Sequence, residues 1–369
     1  MPSLTPNIKN RVHKLPKPAT ATQALQPLFE AVSNAFYAIE DRFGSDQIKK
    51  GSVTIRIENL SDPEKIELEV RDNGIGMDED RYNAFCEIDT DFKSAKGGKG
   101  IGRLFWLDAF QKIDVDSYFL TEGDVSHRAF SFALSNKDQI TPHAQEHSSG
   151  KPEIGTTVSF KAIYPNEYAI HFPKRIDTFL RHFSAHFIAD FLVGNSPQVL
   201  VDIDGSLTSY PKEISDLVVG DSLKAAAFET DDFGTLSVVG FTCKPEASTG
   251  LDGDHQLHLL ANGRTVESRK IDNLLGLSGI DRNGEEGLFF HGCVSGEYLD
   301  ARVNEGRTAF NLPERMIKDL CRTCADFSKQ TLIPEQIRKY ELSRRQSYDD
   351  FVNRHDLSPK FHPVGSRVC

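Results

Sequence analysis

Apolar positions recur at helical spacing early in the chain. Leu25, Leu28, Phe29, Val32, Phe36 and Ile39 form one stripe, which predicts a single helix over 22–43 closed by Gly44. The pattern then switches to period two. Val53, Ile55 and Ile57 share one face; Ile66, Leu68 and Val70 share another, with Glu67 and Glu69 opposite. This predicts two half-buried strands, separated by the Ser61-Asp62-Pro63 turn. Residues 74–100 are rich in Gly, Asp and Lys and read as a loop, a short helix near 79–86 and a lid. A second helix begins at Gly102, and strands recur near 113–120, 126–134 and 155–163. Helices followed by strands in series predict a layered α+β domain ending between Pro165 and Pro173.

Residues 174–193 read as a helix leading into a second set of strands at 198–204, 235–243, 256–262 and 287–295. A helix at 270–277 lies between the last two, and a β-α-β crossover there would be right-handed. Residues 313–345 are helical and increasingly charged, the tail from Tyr348 is expected to fray, and residues 1–20 read as an irregular arm. The expected organisation is an arm at 1–20, a first domain at 21–170, a smaller domain at 171–312 and a helical segment with its tail at 313–369.

The 369 residues suffice for two domains with their own cores, and 38% hydrophobic with 26% charged residues is the composition of a soluble globular chain. No apolar run approaches the ~20 residues of a membrane helix. The polar, basic stretch Met1–Pro18 lacks the apolar centre of a secretion signal, so a cytoplasmic location is expected. A net charge of −11 argues against nucleic-acid binding by the whole surface and leaves room for a local basic patch. The cysteines read as reduced thiols. Cys321-x-x-Cys324 has no second pair for zinc, and with Met316, Ile317, Leu320 and Phe327 it recurs at helical spacing, as core residues do.

Three spaced elements carry the chemistry. Glu30 and Asn34 lie four apart and share a helix face, where an amide oxygen can ligate Mg2+ while a carboxylate orients or deprotonates a water. Alone, such a pair is far more often a solvated polar face. Asp72-Asn73-Gly74-Ile75-Gly76-Met77 follows a strand directly; its glycines permit a tight turn, and its acid can accept a hydrogen bond from an exocyclic amine. Gly97-Gly98-Lys99-Gly100-Ile101-Gly102 precedes a helix and exposes backbone N–H groups to an anion, with Lys96, Lys99 and Arg103 adding positive charge. It is neither a Walker loop nor a Rossmann crossover. Together the elements make ATP the first expectation.

In this order and spacing they resemble the GHKL ATPase superfamily, which includes gyrase B subunits, the 90-kDa heat-shock chaperones, sensor histidine kinases and MutL. Glu30-Ala-Val-Ser-Asn34-Ala is similar to its first motif, Asp72–Met77 to its second, Gly98–Gly102 to its glycine lid and Gly155-Thr156-Thr157-Val158 to its fourth, covering residues 20–163. The resemblance implies a Bergerat-type α/β sandwich followed by a smaller β-α-β transducer-like domain and C-terminal helices. It implies that Glu30 is the general base, that Asn34 holds Mg2+ and that Asp72 binds the adenine amino group, supported by Thr156 through water. Gly74, Gly76 and Met77 would line the base, and Lys99, Gly100, Ile101, Gly102 and Arg103 would close over the phosphates. Tyr37 departs from the Asp that many hydrolysing members carry there, and the absence of room for a phosphoacceptor domain before residue 30 argues against a histidine kinase.

The resemblance is greatest to the MutL, MORC and chaperone-type members. Leu259–Val266, L-L-A-N-G-R-T-V, is similar to a MutL-type strand and turn, and Leu299–Phe310 to the segment bearing the phosphate-sensing Lys, with Arg307 at the matching place. It implies an ATP-driven clamp that dimerises with nucleotide and works with DNA or a separate effector protein, in repair or prokaryotic defence. A chaperone-like ATPase and a non-hydrolysing nucleotide-binding scaffold are the alternatives.

Overall fold

The computed structural model describes residues 7–88, 101–135, 138–143, 153–193, 196–282, 285–304 and 308–355. The chain opens with α1 (Ile8–His13), α2 (Ala21–Ala24) and α3 (Gln26–Phe43). The helix expected over 22–43 is therefore broken at Leu25. Pro27 has no N–H to continue a helical ladder and sits in the first turn of α3, where none is needed. Thr20 caps the short α2 by accepting a hydrogen bond from Gln23 N at 3.3 Å. The arm is not irregular throughout: Asn7 caps α1, Val12 is buried, and Lys17 pairs with the Asp108 carboxylate.

The strands β1 (Ser52–Glu58) and β2 (Glu67–Asp72) follow, then α4 (Glu79–Cys86) and, past the expected lid, α5 (Gly102–Ala109). Next come β3 (Phe110–Thr121), β4 (Asp124–Phe132), β5 (Ile140–Pro142) and β6 (Gly155–Ile163). After α6 (Glu167–His171) and α7 (Ile176–Val193), the hairpin β7 (Gln198–Ile203) and β8 (Ser206–Tyr210) completes an eight-stranded sheet in the order β5-β4-β3-β6-β2-β1-β7-β8.

The strand expected at 198–204 thus belongs to the first sheet, not to the second set. It pairs in parallel with β1, Ser52 against Gln198 through Ile57 against Ile203, and such a pairing needs a long crossover, which α7 supplies. Leu28, Phe29, Val32, Phe36 and Ile39 of α3 are all buried in the same core as Val53, Ile55 and Ile57 of β1. Five such side chains contribute roughly 10 kcal/mol of apolar burial. That stripe fixes which face of α3 is left for chemistry.

The short helix α8 (Lys212–Ser215) leads into a second sheet. It comprises β9 (Lys224–Thr230), β10 (Gly234–Cys243), β11 (Gln256–Ala261), β12 (Arg264–Lys270), β13 (Ile280–Arg282) and β14 (Glu285–Ser295), with α9 (Asp272–Leu275) between β12 and β13. The order is β12-β11-β14-β10-β9, and β11 runs parallel to β14, as the expected crossover requires. The chain then forms α10 (Glu297–Asp300), α11 (Glu314–Phe327) and α12 (Pro334–Arg354). α12 extends six residues past Tyr348, where a frayed tail was expected; residues 356–369 of that tail lie outside the described residues. Leu236, Val238, Leu257 and Phe290 pack in a core with Ile317, Leu320, Cys321 and Cys324 of α11, so both cysteines are core residues. Phe241, Cys243 and Cys293 instead join the core that holds α7. α7 buries Phe179, Phe183, Phe187, Ile188 and Phe191 in that core and leaves Asp177 and Arg181 exposed. Among the described residues no helix is long and apolar enough to cross a membrane.

Candidate functional site

Opposite its apolar stripe, α3 carries Gln26, Glu30, Asn34, Tyr37 and Ala38, three or four residues apart and hence on one face. Gln26 is buried, and its Nε2 donates to Glu30 Oε1 at 3.1 Å. The other side of the Glu30 carboxylate meets the start of α5. A Cβ placed on Gly102 would lie 2.8 Å from Glu30 Cδ, so any larger residue there would displace the carboxylate from its present position. α5 is held there by Trp106, whose indole N–H donates to Pro27 O at 2.9 Å, and by the Lys17–Asp108 pair. Burial raises the Asp108 carboxyl and Lys17 opposes it.

Farther along the same face, the loop after β2 docks on α3. Ile75 N donates to Ala38 O at 2.9 Å, and a Cβ on Gly74 would fall 2.6 Å from Ala38 Cβ. Asp72 is buried at the end of β2, where its Oδ1 accepts from Gly74 N at 2.7 Å and from Thr156 N at 3.3 Å. Thr156 thus meets Asp72 through its own backbone N–H. Gly76 has φ of 80°, and a Cβ there would press on Phe119 Cβ at 2.8 Å. Ser117, fully buried on β3, ties the loop together. Its Oγ accepts from Met77 N at 2.8 Å, lies 2.9 Å from Thr156 Oγ1 and donates to Gly155 O at 3.2 Å. Arg42 Nη1 adds an outer clasp, donating to Asn73 O at 2.6 Å and Ile154 O at 3.0 Å.

The structure thus brings Glu30, Asn34 and Gly102 to one end of a face, and Asp72, Gly74, Gly76, Met77 and Thr156 to the other. Ile101 is buried at the start of α5. Arg103 turns toward α4, donating to Glu87 O, with its guanidinium 5.3 Å from the Phe85 ring. Lys99, Gly100 and Arg307 lie outside the described residues.

Residues 20–162 match the family model described as histidine kinase-, DNA gyrase B-, and HSP90-like ATPase. That segment is similar to this ATPase family. Among solved structures, one described as "Crystal Structure of N terminal domain of a DNA repair protein" is 16% identical, covers 84% of this chain and 97% of its own, and has a TM-score of 0.47. None of the curated proteins compared with the sequence matches it. The match to the ATPase family runs from the cap of α2 nearly to the end of β6. It contains every site residue named from α3, α5 and the loop after β2, and it stops short of the second sheet.

From that second sheet Arg264, at the start of β12, reaches the ATPase-family segment. It is buried; Nη1 lies 3.8 Å from Glu30 Oε1, and Cζ stands 5.2 Å from the Tyr37 ring centroid. Its charge also acts on Asp190 of α7, whose carboxyl burial pushes up to about 7 against the pull of Arg264. The linkage sign follows directly. An acid raised in the folded state contributes stability that is fully present below the unfolded value and is lost as pH rises through about 7. Asp190→Asn is therefore expected to raise the thermal midpoint at pH 8, by roughly 2–4 kcal/mol of stability. The gain should shrink below pH 6; an equal gain at pH 5 and pH 8 would contradict the assignment.

Gln26, Ser117, Arg42 and Arg264 were not singled out from the sequence as site residues. Two of them had a signal. Gln26 precedes Glu30 by one helical step, and Ser117 is the polar member of the inward series Ile113, Val115, Ser117, Phe119. Arg264 stands in the L-L-A-N-G-R-T-V motif, which marks its turn but not its partner, and Arg42 had no signal, because the partners of both are set by tertiary contact.

Proposed function

We propose that the chain binds and hydrolyses Mg-ATP at the face of α3, and that the event is transmitted to the second sheet as a conformational change. The observation that carries this reading is the spacing along one helix. Glu30, against Gly102, and Ala38, beneath the Asp72 loop, are eight residues apart, or roughly 12 Å of helix axis at 1.5 Å per residue. A ligand that reaches both ends must be extended, with an anionic group near a glycine-lined helix start and a hydrogen-bonding base near a carboxylate. A nucleoside triphosphate is such a ligand.

In this reading Asp72 accepts from the exocyclic amine, with Gly74 and Gly76 leaving room for the ring. Glu30, oriented by Gln26, takes a proton from the attacking water. The Asn34 amide oxygen, one turn from Glu30, fits a Mg2+ that draws its remaining ligands from phosphates and water rather than from a protein cage. When bound, the ion neutralises phosphate charge. The resemblance to MutL- and chaperone-type members extends the reading to a homodimer formed with nucleotide and to slow turnover.

The test is phosphate release with Mg-ATP, alongside binding of a non-hydrolysable analogue and solution mass with and without it. Asp72→Asn keeps one oxygen for Gly74 and Thr156 but replaces the other by a donor. It is expected to weaken analogue binding by roughly 10- to 100-fold, the size of one hydrogen bond to a charged group. Unaltered binding in that variant would remove Asp72 from the nucleotide site. Binding without turnover in the wild type would favour the scaffold, the reading that Tyr37 supports.

A further inference from the structure

We propose that Arg264 is the positioning residue for Glu30, so that the second sheet sets the catalytic carboxylate in the same chain. The inference rests on the ATPase reading of Glu30.

Arg264 leaves the second sheet at the first residue of β12, immediately after the turn Asn262-Gly263, in which both residues have positive φ. That turn is itself anchored, since Asn262 N donates to Asp300 Oδ1 at 2.6 Å. The guanidinium is buried where three elements meet: α3 presents Glu30 and Tyr37, α7 presents Asp190, and β12 brings the cation. A buried cation is kept only with compensation. Here Glu30 supplies an anion, Asp190 a buried carboxyl that Arg264 draws toward its charged form against the cost of burial, and the Tyr37 ring a π face at cation–π distance. Tyr37, the departure from the family pattern, thus has a role: its ring faces the guanidinium.

The geometry points to orientation rather than capture. At 3.8 Å the Arg264 Nη1–Glu30 Oε1 contact is beyond hydrogen-bond length, so it attracts the carboxylate without occupying its lone pairs. Gln26 Nε2 provides the hydrogen bond, and Gly102 closes the other side. Glu30 is therefore fixed by a neighbour on its own helix, by the start of α5 and by a residue of the other sheet. Only the last moves when the second sheet moves against α3. A small shift in that docking displaces the base, and displacements of about 1 Å can reduce a rate on the order of a hundredfold.

The experiment compares wild type with Arg264→Met, Arg264→Lys and the double variant Arg264→Met with Asp190→Asn. The double variant removes the buried carboxyl that the single substitution would leave without its cation, and so protects folding. Steady-state phosphate release gives kcat and KM, a non-hydrolysable ATP analogue gives affinity, and thermal midpoints report folding. The expected result is a kcat roughly ten- to a hundredfold lower in both Met variants, with analogue affinity unchanged and part of kcat restored by Lys. Wild-type kcat in a folded Met variant, or in the double variant, overturns the proposal. So does loss of kcat only in step with affinity and thermal midpoint, the mark of a structural role. If the wild type neither binds nor hydrolyses ATP, the ATPase reading itself has failed, a result distinct from all of these.

Discussion

Glu30→Gln is expected to abolish phosphate release, by roughly 10²- to 10⁴-fold, and to leave nucleotide binding in place. The substitution keeps the side chain's length and branching, so the space left by Gly102 remains filled and Gln26 Nε2 still finds a carbonyl to donate to. What disappears is the ability to take a proton from water. Glu30→Asp separates position from chemistry. It retains a base but withdraws it by one methylene from Gly102 and Arg264, and an intermediate rate is expected. Single-turnover phosphate release at saturating Mg-ATP, with analogue binding measured on the same preparations, distinguishes the cases. Full activity in Glu30→Gln would show that water is activated elsewhere. Loss of analogue binding would show that Glu30 serves the architecture of the site instead.

The elements legible in the sequence are those whose pattern is local. The alternations in β1, β2, β3 and β6 are half-buried strands with one apolar face, and the expected bounds of β6 and of α4 coincide with those observed. The site residues on α3 and in the Asp72 loop were legible because helical spacing and a glycine turn are also local. The rest depends on pairing. β7 has an ordinary alternation, but nothing in Gln198–Ile203 says that its partner is β1 rather than a neighbour in the second sheet. β9 reads K-A-A-A-F-E-T and β12 reads R-T-V-E-S-R-K; neither has a strong apolar face, so neither was expected as a strand. Arg264 shows the same limit at the site. Its turn is recognisable, but its approach to Glu30 follows from how the second sheet docks on α3 and α7.

The second large effect concerns acid. His255, His258 and His291 are fully buried in the second sheet, on neighbouring strands or beside them. His258 Nε2 lies 3.0 Å from His291 Nδ1 and His258 Nδ1 lies 2.8 Å from Ser268 Oγ, while His255 Nδ1 accepts from Phe290 N at 2.8 Å. His255 is thus held neutral by an N–H that already points at it. Burial lowers all three imidazoles, His258 to about 4, and His291 is lowered further by its histidine neighbours. A histidine depressed on folding contributes stability that is present above its unfolded value near 6.5 and is lost as pH falls through the folded value. For His258 alone the fall from 6.5 to about 4 corresponds to roughly 3 kcal/mol. Asp190 acts with the opposite sign in the same window, but it is one group against three. Since a domain's whole stability is about 5–15 kcal/mol, the thermal midpoint is expected to drop steeply between pH 6.5 and 4.5. His291 stacks on Phe241, which shares the core of α7, so the loss should loosen the second sheet from α7 and separate Arg264 from Glu30. His291→Phe, which keeps an aromatic ring beside Phe241, should flatten the pH dependence of the midpoint measured from pH 7.5 to 4. An identical slope in wild type and variant would place the acid sensitivity outside this cluster.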